Sequence, residues 1–363
     1  MPVEPLVVTT RGIAPEFASE FARDGAGRTS DADGGAVENV HHGSIAVMSA
    51  DGKLMQWAGD PEYLTFTRST LKPLQALPFV REGGHAHFGW GSREVALMCA
   101  SHSGEAMHTE VVAAMLASSG CEPSQLRCGC HVPGWYAALD RTPPVGARFT
   151  ALEHNCSGKH AGFLAACRLH KDRVENYLDQ ASPVQRRVTS AVAELTDLAE
   201  SALVTGTDGC SAPNFAIPLA RLALAYARLA QGKGGPSNGE ALGVLFDAMT
   251  GHPELVSGTA RSDLALMSFA PGDWVTKIGA DGAQAIGVRS KGIGIAIKIA
   301  DGNRDALYCT VVEVLRQLGF LDSSSDASGD VPESLARWRG PVIRNAAGLT
   351  TGKMSARFKL RAA

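Results

Sequence analysis

The segment Thr67-Arg68-Ser69-Thr70-Leu71-Lys72-Pro73 sets a hydroxyl and an amine three residues apart at the start of a helix-periodic stretch. That spacing puts both on one helix face, about one turn apart. A serine hydroxyl is a weak nucleophile. A neutral lysine amine held against it can take its proton, provided that burial or a second cation lowers the lysine pKa. The helix N-terminus adds backbone N–H donors and a positive dipole end suited to an oxyanion. The plainer reading is that Ser69 is an N-cap and Lys72 a solvated first-turn residue, the commoner fate of an isolated Ser-x-x-Lys.

Three further segments concentrate reactive side chains. In Cys99-Ala100-Ser101-His102-Ser103-Gly104-Glu105 an apolar helix ends in a small polar turn that can present hydroxyls to a cleft, although Ser103 as cap of the following helix is the better reading. His154-Asn155-Cys156-Ser157-Gly158-Lys159-His160 precedes an apolar helix, and Gly206-Thr207-Asp208-Gly209-Cys210-Ser211 is a Gly-bracketed turn. One cysteine from each of these two, with Asp208, gives the soft and hard ligands that zinc takes, but neither holds the Cys-x-x-Cys pair of a recognisable structural site. Cys121 with Cys128-Gly129-Cys130-His131 is a rival on paper. Cys128 and Cys130 cannot readily close a disulfide with each other, and all three read as surface or core thiols.

Residues 5–10 and 44–49 read as strands, the second continuing through Ala50-Asp51-Gly52 into another at 53–58. Between them, residues 14–36 are rich in Gly, Asp, Ser and Ala and read as a flexible insertion. Apolar residues at three- and four-residue spacing predict helices at 69–82, 92–100, 105–119, 158–170, 183–196, 215–231 and 239–250. After Pro271 the pattern returns to sheet, then a helix at 304–319, a polar loop at 321–331 and a terminal hairpin turning near Gly348. The expected fold class is α/β, one catalytic unit over 1–363. Its sheet-forming ends, 1–66 and 271–363, flank a mostly helical region, 67–270, giving a mixed sheet with packed helices and a helical lobe.

With 45% hydrophobic and 20% charged residues and a net charge of −3, the chain offers no basic field for nucleic acid. It has no apolar run long enough to span a membrane and no secretory leader pattern at MPVEPLVVTTRG, so a cytoplasmic location is expected. Eight cysteines in 363 residues do not make a disulfide scaffold; Cys99 and Cys167, in apolar helical contexts, read as plain buried thiols.

Taken together, RSTLKPLQALP at 68–78, ASHSGE at 100–105, NCSGKHAG at 155–162, the DGC turn at 208–210 and KIGADG at 277–282 resemble, in this order, the rhizobial-type L-asparaginases (class 3, asparaginase II) over about residues 38–355. The resemblance implies a fold similar to the serine β-lactamases and serine-dependent glutaminases, with Ser-x-x-Lys heading a central helix. It implies hydrolysis of L-asparagine to L-aspartate and ammonia through an acyl-enzyme, and a homodimer. Ser69 with Lys72 would be one Ser–Lys pair and Ser101 with Lys277 a second, each lysine's charge disfavouring the other's. Cys156, Asp208 and Cys210 would be zinc ligands with Lys159 adjacent, the metal supporting substrate binding. Arg68 and His160 would meet substrate, Arg68 by an α-carboxylate pair, and Asp208 could instead meet the α-ammonium. The chain departs from the family pattern at His154, Ser211, Ala212, Asp281 and the 14–36 insertion. The alternatives are another Ser–Lys acyl hydrolase, of glutaminase or β-lactamase type, and a non-catalytic zinc or amino-acid binding protein. Two hydroxyl–amine couples speak against the last.

Overall fold

The computed structural model describes residues 3–12, 36–235, 237–321 and 333–363. The expected insertion at 14–36 lies outside them apart from Ala36, and the loop at 321–331 apart from Leu321. Among the described residues the architecture is mixed α/β, built on a nine-stranded antiparallel sheet drawn from both chain ends. Its strands are β1 (Glu4–Arg11), β2 (Ala36–Ser49), β3 (Leu54–Ala58), β7 (Trp274–Gly279), β8 (Ala283–Val288), β9 (Ile293–Ile299), β10 (Val342–Arg344), β11 (Thr350–Ala356) and β12 (Arg361–Ala362). The main order is β10-β11-β1-β2-β9-β8-β7. The long β2 pairs β9 along one edge; its other edge is shared by β1, against residues 36–43, and β3, against 45–48.

Both faces of this sheet are covered, which its sequence alternation records. Ile45 and Val47 of β2, with Ile295, Ile297 and Ile299 of β9, face one core; Ala46, Met48 and Ala296 face the other. The second face is lined with small residues for a reason. A Cβ at Gly294 would come within 1.9 Å of the Ala223 carbonyl oxygen and one at Gly287 within 2.5 Å of that of Tyr226, so an alanine-rich helix, Leu219–Gln231, lies almost directly on the backbone. The first face packs the helix Arg304–Gln317, close to the predicted 304–319.

The remaining predicted helices form at α1 (Lys72–Arg81), α2 (Ser92–Met98), α3 (Ala106–Ser118), α4 (Ser157–His170), α5 (Pro183–Thr196), α6 (the alanine-rich Leu219–Gln231) and α7 (Gly239–Gly251); α8 (Ser262–Phe269) and α9 (Arg304–Gln317) complete the series used below. One expectation is corrected. The helix predicted over 215–231 begins only at Leu219, because Pro213–Pro218 is strand β6, which pairs β4 (Leu64–Phe66) and β5 (Val204–Thr207) in a second, three-stranded sheet. Its run Phe215-Ala216-Ile217 is too short for periodicity to separate strand from helix. Helix α1 is buried on every side from Lys72 to Val80, the mark of a helix in the middle of the molecule. No helix of the described residues is long and apolar enough to cross a membrane.

Candidate active site

The chain enters α1 through a 3-10 turn, Arg68–Leu71, whose first residue has φ +51°, a left-handed conformation that arginine adopts only when held there. The holder is Asn214 of β6, whose side-chain oxygen accepts from the Arg68 N–H at 3.0 Å while its Nδ2 donates to the Arg68 carbonyl at 3.0 Å. Tyr226 of α6 supports the same turn, its hydroxyl donating to the Thr70 carbonyl at 2.7 Å. Ser69 follows, half-buried, on the wall of a cavity of about 740 Å³ that Ser101 and Asn155 also line. It is not a cap: the 3-10 turn begins from Thr67 and carries no side-chain cap bond.

Lys72 is fully buried rather than solvated. Its Nζ donates to the Ser101 hydroxyl at 2.9 Å, to the Asn155 carbonyl at 3.3 Å and to the Ala100 carbonyl. The hydroxyl that Lys72 meets is therefore that of Ser101, and Ser69 makes no side-chain hydrogen bond among the described residues. The turn bearing Ser101 is fixed by its own N–H to the Val256 carbonyl at 2.9 Å, and by His102, which accepts from the Gly104 N–H and contacts the Ser157 hydroxyl at 2.9 Å. Ser103 does not cap α3. Its hydroxyl donates to the Ser257 carbonyl at 2.9 Å, and Glu105 stands at the N-cap position.

Lys277 sits fully buried on β7 beside the 3-10 turn. Its Nζ donates to the Ile278 carbonyl at 2.9 Å and faces Asp263 of α8 at 3.5 Å. Burial pushes its pKa down to about 8 against the pull of Asp263, with the Lys72 and Arg261 charges adding to the depression. Asp263 is itself fully buried and accepts from Thr276 Oγ1 at 3.0 Å, the Ile278 N–H at 3.0 Å and Gln284 Nε2 at 3.1 Å. Sequence reading missed Asp263, since an acidic residue in a helix's first turn is common on dipole grounds alone. It also missed Asn214, which no motif marks.

Next to this stands the cysteine cluster. Arg68 Nε donates to Asp208 at 2.9 Å, and its Nη1 meets Asp281 in the turn after β7. Asp208 opens the left-handed Ser211 turn and lies with Oδ2 4.0 Å from Cys210 Sγ. Lys159 Nζ donates to Cys210 Sγ at 3.1 Å. Cys156 and Cys210 share one hydrogen bond, which with Lys72 and Lys159 nearby holds the Cys156 thiol well below its ordinary range and raises that of Cys210. His160 lies behind them, fully buried, its Nδ1 2.7 Å from the Tyr177 hydroxyl; burial lowers it to about 4. Of the rival thiols, Cys121 and Cys128 are buried and Cys130 is exposed.

Among the described residues no three His, Cys, Asp or Glu side chains are gathered to hold a metal ion. The side chains that would hold a zinc ion here are those of Cys156, Asp208 and Cys210, with Lys159 adjacent. Two sulfurs and a carboxylate oxygen suit zinc in donor type. Burial pulls the Lys159 pKa down, but the charges of Cys210, Cys156 and Asp208 around it push it up overall.

No curated protein matches the chain in sequence. Among solved structures it is similar to Mglu in its glutamate form (13% identity over 86% of this chain and 69% of that one, TM-score 0.45) and to Mglu in its native form (15%, 85% and 72%, 0.43). It is similar also to a β-lactamase from Mycobacterium bovis (14% identity over 76% of this chain and 94% of that one, TM-score 0.31). The family model for L-asparaginase II matches residues 32–356, a span that contains Ser69, Ser101, Lys72, Lys277 and the cysteine cluster, so the chain belongs to the L-asparaginase II family.

Proposed function

We propose that this chain is a Ser–Lys amidohydrolase that converts L-asparagine to L-aspartate and ammonia through an acyl-enzyme. The observation that carries the reading is the Lys72–Ser101 hydrogen bond at the wall of a cavity that Ser69 also lines. Family membership supports the hydrolytic class. Ser69 is the proposed nucleophile. Its oxygen bonds the side-chain amide carbon as its proton passes into the buried amine set of Lys72 and Lys277, and that proton leaves on the departing ammonia when the C–N bond breaks. A water then hydrolyses the ester and frees aspartate. Within this turn the Arg68 N–H is taken by Asn214 and the Thr70 N–H by the Thr67 carbonyl, which leaves the Ser69 N–H as the backbone donor suited to the tetrahedral oxyanion. Lys277, with its pKa near 8, is the amine able to be neutral under mild conditions.

Zinc, if bound by Cys156, Asp208 and Cys210 with Lys159 beside them, would tie the turn before α4 to the β5–β6 turn and firm the wall that holds Arg68. Its contribution would be to substrate binding, since serine supplies the nucleophile. Ammonia release measured in parallel from L-asparagine and L-glutamine, with opening of a chromogenic β-lactam, tests the activity. Fastest release from asparagine is expected. Turnover of the β-lactam alone, or of none of the three, would overturn it.

A further inference from the structure

Arg261 belongs to none of the five motifs. It leaves the turn that follows the short helix Pro253–Ser257, is half-buried, and lines the same cavity as Ser69 and Ser101. Its guanidinium has no hydrogen bond or ion pair among the described residues, whereas that of Arg68 is occupied by Asp208 and Asp281 and does not line the cavity. An unpaired guanidinium, with its planar fork of donors, is the group best matched to a carboxylate. Arg304 also lines the cavity, but it is exposed and neighbours Asp305.

The turn that delivers Arg261 is built onto the turn that delivers Ser101. Glu105 accepts from the Thr259 N–H at 2.9 Å and from the Thr259 hydroxyl at 2.7 Å, and Ser103 binds the Ser257 carbonyl. Gly258, at φ +108°, lies so close that a Cβ there would reach Ser103 Oγ at 2.3 Å. The backbone that carries Arg261 is thus tied to the turn that carries Ser101, and the side chain reaches the cavity from there.

We propose that Arg261 binds the α-carboxylate of the substrate and confers selectivity for amides of α-amino acids over simple amides. This rests on the asparaginase reading for the identity of the substrate. The test is calorimetric titration of wild type, Arg261→Ala and Arg261→Lys with L-aspartate and with aspartate α-amide, which lacks the α-carboxylate, alongside ammonia release from L-asparagine. Wild type should bind aspartate more tightly than the α-amide. Arg261→Ala should lose roughly 10- to 150-fold in aspartate affinity, the range for a charged hydrogen-bonded contact, and leave α-amide binding unchanged, with Arg261→Lys between. Equal binding of the two ligands by wild type, unaltered aspartate affinity in Arg261→Ala, or no aspartate binding by wild type would overturn the assignment. Arg261-dependent aspartate binding without ammonia release would uphold the subsite and overturn asparagine hydrolysis.

Discussion

Asp263→Asn should move the acid limb of the pH–rate profile downward. Lys277 lies near pKa 8, and Asp263, Lys72, Arg261 and Cys99 are the titratable and charged groups that face it. If the neutral amine takes the proton, kcat/KM in wild type should be about half-maximal at pH 8, roughly a tenth at pH 7 and roughly a hundredth at pH 6. A unit charge at the 3.5 Å separating Lys277 Nζ from Asp263 sets a ceiling of about 4–5 kcal/mol at an effective dielectric of 20. Thr276, Ile278 and Gln284 share that carboxylate, so the expected shift is smaller, about 1–2 pKa units downward. Relative to its own plateau, the variant should therefore be roughly tenfold or more faster than wild type at pH 6. The plateau itself should fall, because Lys277 loses an orienting partner, and stability should drop by about 3 kcal/mol. Ammonia release across pH 5.5–9.5, with urea unfolding alongside, reads all three. A variant limb unmoved or raised, or a wild-type rate flat from pH 6 to 9, would refute Lys277 as the group that sets the profile.

Linkage gives the same lysine a second signature. The unfolded chain keeps Lys277 protonated up to 10.5 while the folded one releases the proton near 8, so its contribution should raise stability as pH climbs through that window, and Lys277→Met should flatten the rise. Asn214→Ala should cost about 1–3 kcal/mol and lower kcat more than it raises KM, because it releases the Arg68 backbone and with it the placement of Ser69; equal kcat would argue against the clamp. Gly258→Ala forces a Cβ to 2.3 Å from Ser103 Oγ at φ +108° and should destabilise by about 2 kcal/mol or more while weakening aspartate binding; a wild-type melting temperature would contradict this. Elemental analysis should find one zinc per chain, lost in Cys210→Ser, with chelation raising KM and sparing kcat; absence of zinc would leave a thiol cluster, and lost kcat would implicate the metal in chemistry.

Much of the architecture was legible because its signals are local. Alternation marked β2 and the strands after Pro271, and helical spacing marked α1 to α5. The strand β6 was not, since six residues satisfy either period and only pairing with β4 and β5 decides. The site was legible as residue types but not as partnerships. Lys72 and Ser69 share a helix face by spacing, yet Nζ reaches across to Ser101, because the Ala100 and Asn155 carbonyls converge on it from two other segments. Ser103 carried a capping pattern that a long-range acceptor, the Ser257 carbonyl, overrode. Asp263, Asn214 and Arg261 act through contacts that no sequence interval encodes.

The central claim is that a serine in this cavity is acylated, and intact-protein mass spectrometry after rapid acid quench with L-asparagine tests it most directly. Wild type should show a species heavier by one aspartyl group, mapping to Ser69, absent in Ser69→Ala and diminished in Lys277→Met, in which acylation loses its proton acceptor. An adduct on Ser101 would move the nucleophile. Ammonia release with undiminished rate in both Ser69→Ala and Ser101→Ala would contradict serine catalysis altogether.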